Sequence, residues 1–113
     1  MYNGKISPTQ ASALDTAFDS RHSVISLQIT GTPDNRSVWF DLDDLKGFID
    51  DAQKEHGNMN GVRVYLGAKS DRGLSTVFMV PTESSNGNNK DIPGADGLNS
   101  GEPGHPPNAN YPQ

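Results

Sequence analysis

From residue 83 to the C-terminus almost every side chain is Asn, Gly, Pro, Ser or charged, and Ile92, Ala95, Leu98 and Tyr111 offer most of the apolar surface to bury. A segment of that composition cannot offset its own ordering entropy. It leaves about 80 residues to build a core, which must therefore be small. The sequence divides on this ground into one small domain, residues 1–82, and an irregular tail, residues 83–113. The tail need not be idle. Its prolines restrict the unfolded chain and its glycines permit close approach to a sheet, so residues 91–107 are expected to pack along the domain in extended form while the last residues fray.

Within the domain the clearest start signal is SPTQ. Ser7 is placed to cap a helix, Pro8 to occupy its first position and Gln10 to reach back, the capping-box arrangement. On a helical wheel Ala11, Leu14, Phe18, Ile25 and Ile29 share a side, with Asp15, Asp19 and Ser26 turned away, which predicts a helix over residues 8–29 with the apolar stripe facing the core. A strand at SVISLQI, residues 23–29, is the competing reading, since Val24, Ile25 and Ile29 are β-branched. Gly31 and Pro33 supply a helix stop and favour the helix.

SVWF, residues 37–40, is short, bulky and extended, and Asp41 after it can cap a second helix. A single tryptophan in so small a domain is expected to be buried at Trp39. In the second helix Leu42, Leu45, Phe48, Ile49 and Ala52 form an apolar face against Asp43, Asp44, Asp50 and Asp51, and Gly57 ends it. Val62, Val64 and Leu66 then alternate with Arg63 and Tyr65, and residues 74–81, LSTVFMVP, alternate likewise, which predicts two antiparallel strands joined through AKSDRG. The expected fold class is α+β, with two helices packed on a small, mainly antiparallel sheet, SVWF beside it, and the long Gly/Asn/Pro-rich tail.

Charge and motif content exclude several functions. Nine Lys and Arg stand against fourteen Asp and Glu, a net charge of -5, so no basic stripe is available for nucleic acid or an anionic membrane. No apolar run approaches a membrane span of about 20 residues. MYNGKISPTQ lacks an apolar signal region, and the expected location is cytoplasmic. The chain contains no cysteine, which removes disulfides, thiolate metal sites and cysteine nucleophiles. His22, His56 and His105 are isolated from one another, His56 being suited to the last turn of the second helix. DLDDLKGFIDD lacks the glycine and twelfth-position glutamate of a calcium loop. No metal and no cofactor are expected, and no nucleophile elbow or phosphate loop is present.

DNRSVWFDLDDLKGFI, GVRVYLGAK, TVFMVPT and DGLNSGEPGHPP, in that order, resemble an uncharacterised family of small bacterial proteins, chiefly from Bacteroidota. The resemblance runs from about Pro33 onward and carries no activity with it. It implies that the tail belongs to the folded unit.

With apolar residues on both faces of the expected sheet, the reading is a non-enzymatic interaction module, an adaptor, accessory or immunity-like protein, acting through the hairpin and tail on a protein partner or on itself. Arg63, Tyr65, Arg72, Val77 and Met79 are the candidate surface. The alternative is a small-ligand or anion-binding domain, or a minor enzyme, in which Arg63 and Arg72 grip the ligand and Tyr65 stacks on it.

Overall fold

The computed structural model describes residues 2–99 together with 102 and 103. The fold is α+β, two helices with a three-stranded antiparallel sheet, in the order α1 (Pro8–Thr30), β1 (Val38–Trp39), α2 (Leu42–Glu55), β2 (Met59–Ala68), β3 (Ser75–Ser85), β4 (Asn88–Asp91) and β5 (Glu102–Pro103). No helix among the described residues is long and apolar enough to cross a membrane.

The first helix begins as its capping box dictates: Ser7 Oγ accepts the Gln10 N–H, and Gln10 Oε1 accepts the Ser7 N–H at 2.8 Å. It ends at Gly31, whose φ of 81° places it in the left-handed region with its N–H on Leu27 O. Residues 23–29 are thus helical. The orientation of α1, however, matches the wheel only in part: Ala11 and Phe18 are half-buried as expected, but polar residues of the opposite side are turned inward as well. Ser26 is buried and donates to Thr32 O at 2.8 Å, and Asp15 and Asp19 meet Arg36 at 2.6 and 3.5 Å. Leu14 is 65% exposed, and Val24, Ile25, Leu27 and Ile29 are also exposed. Polar residues are held inward because the segment after the helix offers Arg36 and the Thr32 carbonyl, and a forked guanidinium pairs best with carboxylates.

Asp41 caps α2 by accepting the N–H groups of Asp43 and Asp44, and the helix buries Ala52 with Leu45, Phe48 and Ile49 half-buried. Leu42, expected on its inner face, is exposed. Trp39 is 48% exposed, contrary to expectation, because β1 lies outside the three-stranded sheet and pairs instead with β5, Val38 opposite Pro103 and Trp39 opposite Glu102.

Strand order in the sheet is β2-β3-β4. Composition placed residue 83 onward in an irregular tail, yet β3 runs through Ser85 and turns back as β4. The turn is Asn86-Gly87, with φ of 51° and 80°, the pair of positive angles that a two-residue hairpin of matching twist requires.

Beyond β4 the chain stays on the outer edge of β3. Ile92 N–H bonds Pro81 O at 3.0 Å, Leu98 and Met79 exchange bonds of 2.9 and 3.0 Å, and Asn99 Nδ2 donates to Val77 O at 2.9 Å. At the far end of that edge, Ser75 is held by Asp34 and Asn35. The expected packing of residues 91–107 is therefore realised over 91–99. Residues 100, 101 and 104–107, with His105 and Tyr111, lie outside the described residues. Gly97 makes the close approach possible, since a Cβ there would sit 2.6 Å from Met79 O. Gly97→Ala is expected to push this segment off the edge and cost about 1–3 kcal/mol, read as a lower urea midpoint and faster amide exchange at Leu98. An unchanged midpoint would show that the segment can shift freely.

Candidate functional site

Alternation along paired strands sorts the candidate residues onto two faces. Arg63 lies opposite Val80 and Tyr65 opposite Phe78, on one face; Val64 lies opposite Met79 and Leu66 opposite Val77, on the other. Arg63 and Tyr65 are thus brought together, Val77 and Met79 are together on the reverse, and Arg72 is exposed in the turn beyond Ala68, next to neither group.

On the first face the organising residue is Asp91, at the end of β4. One carboxylate oxygen accepts from Arg63 Nη1 and the other from the Tyr65 hydroxyl, while Arg63 Nη2 donates to Asn89 O at 2.9 Å. Tyr65 stacks on Phe78 with ring centroids 5.0 Å apart. A polar chain continues the cluster, with Thr82 Oγ1 donating to Asn60 Oδ1 and Asn60 Nδ2 donating to Asn89 Oδ1. Sequence reasoning missed Asp91 because it lay in a stretch read by composition. The Asn-Gly turn was the signal that would have returned Asp91 to the sheet.

The hydrogen bond from Tyr65, then that from Arg63 and its charge, hold the Asp91 carboxyl below its ordinary pKa against the opposing effect of burial. The same bond raises the Tyr65 phenol, aided by burial, and bonding to Asp91 raises Arg63. A depressed carboxyl stabilises the fold above its unfolded pKa and loses that contribution as pH falls through its folded pKa; a raised phenol stabilises below its unfolded value and loses the contribution as pH rises through the folded one. The cluster therefore contributes fully across neutral pH and fails at both extremes. Asp91→Asn is expected to flatten the acid limb of a urea-midpoint against pH curve; parallel curves for variant and wild type would contradict this.

Among the described residues a shallow polar cleft of about 280 Å³ lies at Asn60, Arg63, Thr82 and Asn89, and larger ones lie beside the sheet. One, about 630 Å³, lies between α2 and residues 96–98 and is walled by Asp43, Asp44, Asp51, Glu55 and Asp96 with Lys54 and His56. His56 closes α2 through its N–H on Ala52 O, and its ring is 3.8 Å from Glu55. Another, about 400 Å³, lies among Phe18 and His22 of α1, Arg36 and the Leu66 and Val77 end of the sheet. His22 stacks on Phe18 at 4.4 Å. Among the described residues no three His, Asp or Glu side chains converge as metal ligands would.

The second face is apolar and open along β2, while on β3 Val77 and Met79 are half-buried and Pro81 is buried. Val64 is 53% exposed and Leu66 88%. No family model matches the chain, and no curated protein and no solved structure is significantly similar to it.

Proposed function

We propose that the protein is a non-enzymatic interaction module that works through the β2–β3 hairpin and the adjoining C-terminal segment. One observation carries the reading. Among the described residues the buried apolar side chains are Ala52, Ile92 and Pro81, whereas Val64, Leu66, Leu14, Ile25 and Trp39 are exposed. Soluble monomers rarely leave contiguous apolar area open without using it, and association would complete the burial that this fold leaves unfinished.

A grip on an anion by Arg63 and Arg72 together draws less support. Arg63 is spent on Asp91, and Arg72 stands apart from it. The acidic cleft beside α2 repels anions as well.

The immobilised full chain, compared with Leu66→Asp, is expected to retain a specific protein, its own copy included, that the variant loses. Recovery of nothing by wild type, with a monomer in solution, would overturn the reading.

A further inference from the structure

The sheet has two edges, and they are treated differently. Along β3 outward-pointing backbone groups find partners, both groups of Ser75 in Asp34 and Asn35, both of Met79 in Leu98, and the carbonyls of Val77 and Pro81 in Asn99 and Ile92. Because Met79 gives both its N–H and its C=O to Leu98, Val64, which lies opposite Met79, points its own N–H and C=O away from β3. The alternation of an antiparallel ladder extends this to Val62 and Leu66, the partners of Pro81 and Val77. Among the described residues nothing pairs with them. Long, open, apolar edges are what folded proteins ordinarily shield with charge, proline, a bulge or a covering segment. Among the described residues the irregularity along β2 is a register shift at Met59 and Gly61, at one end of the strand.

The sequence of that edge is close to symmetric. GVRVYLG has glycine at both ends, aliphatic Val62 and Leu66 next, Arg63 and Tyr65 next, and Val64 at the centre. We propose that β2 pairs antiparallel with β2 of a second copy about a two-fold axis at Val64, joining the two sheets into one. This rests on the interaction reading and names its partner. In this register Val64 faces Val64 of the second copy and Val62 faces Leu66, each as a hydrogen-bonded pair, and the exposed aliphatic rows of both copies become continuous. Arg63 falls opposite Tyr65 of the second copy. A register centred on Arg63 would set two Arg63 side chains, each held by its own Asp91, directly opposite each other, whereas the Val64 axis sets Arg63 opposite Tyr65. A two-fold contact is the ordinary form of self-association.

The absence of cysteine makes the register readable with single thiols. In the proposed pairing two Val64→Cys residues have Cα atoms about 5.5 Å apart, inside disulfide range. Two Leu66→Cys residues are four positions out of register, roughly 13 Å apart, and beyond it. Val64→Pro removes an outward N–H that the chain's own sheet does not use, a position where edge strands tolerate proline. Light scattering behind a sizing column, at about 100 µM, a load suited to a contact of modest area, is expected to give twice the chain mass for wild type and the single-chain mass for Val64→Pro, with the two melting alike once diluted until both are monomeric. Mild oxidation is expected to cross-link Val64→Cys at least tenfold faster than Leu66→Cys. A monomeric wild type overturns the proposal, as does a dimer that survives Val64→Pro or one in which Leu66→Cys cross-links as readily. A monomer that still retains a Leu66-dependent protein in the pull-down removes the self-pairing and leaves the interaction reading standing.

Discussion

Asp34→Ala is expected to cost about 2–4 kcal/mol, since hydrogen bonds to a charged group are worth about 1.5–3 kcal/mol and the loss strands a backbone donor. Asp34 is 9% exposed and accepts from the Asn35 N–H, from the Ser75 N–H at 2.8 Å and from the Ser75 hydroxyl. Asn35, buried beside it, donates to Ser75 O at 3.1 Å. Together they fasten the loop after α1 to the first residue of β3. The next residue, Arg36, holds Asp15 and Asp19 of α1, so the attachment of α1 to the sheet passes through this joint. Loss of Asp34 should therefore show twice, as a lower urea midpoint and as amide exchange in α1 that rises ahead of global unfolding. Asp34→Asn keeps an acceptor and should lose less. An alanine variant within half a kcal/mol of wild type, with protection in α1 intact, would place the attachment elsewhere; about 0.5 kcal/mol is the ordinary scatter of a neutral substitution.

The same joint explains what the sequence told correctly and what it did not. Local signals were sufficient wherever a local interaction decides the structure. Ser7, Pro8 and Gln10 set the start of α1, Gly31 its end, and Asp41 the start of α2. The facing of α1 was only partly legible, because the wheel assumes that apolar residues turn inward, and the inward side is chosen by what the rest of the chain presents. Here that is Arg36 and the Thr32 carbonyl. Trp39 fails for a related reason: its strand pairs with residues distant in sequence and outside the main sheet, a choice that no property of SVWF encodes.

The candidate surface was partly legible. Strand alternation was enough to join Arg63 with Tyr65 and Val77 with Met79, but separating the two pairs onto opposite faces required the pairing register. Asp91 was hidden by a composition average taken across a stretch whose one decisive feature is the dipeptide Asn86-Gly87. Averaging suits segments that lack a nucleating turn. This one has a turn that sets register and returns four residues to the sheet.

Removing residues 92–113 is expected to have the largest effect, turning a folded chain into one that aggregates. Burial of Ile92 is worth about 1.5–3 kcal/mol. The bonds from Ile92 and Asn99 and the exchanged pair between Leu98 and Met79 add about 1 kcal/mol each. The sum is comparable to the whole stability of a marginal domain, about 5 kcal/mol at the low end. A kinetic hazard follows the energetic one. Once Ile92–Asn99 is gone, Val77, Met79 and Pro81 turn unpaired backbone groups outward while the opposite edge at β2 is already open. A sheet with two open edges can add copies without end, whereas a sheet with one open edge stops at a pair. Light scattering on warming should rise early for the chain cut after Asp91. A chain cut after Asn99 retains the covering residues and should remain soluble, so the difference between the two cuts assigns the effect to residues 92–99. If the shorter chain melts at the wild-type temperature without scattering, the outer edge of β3 does not need its cover.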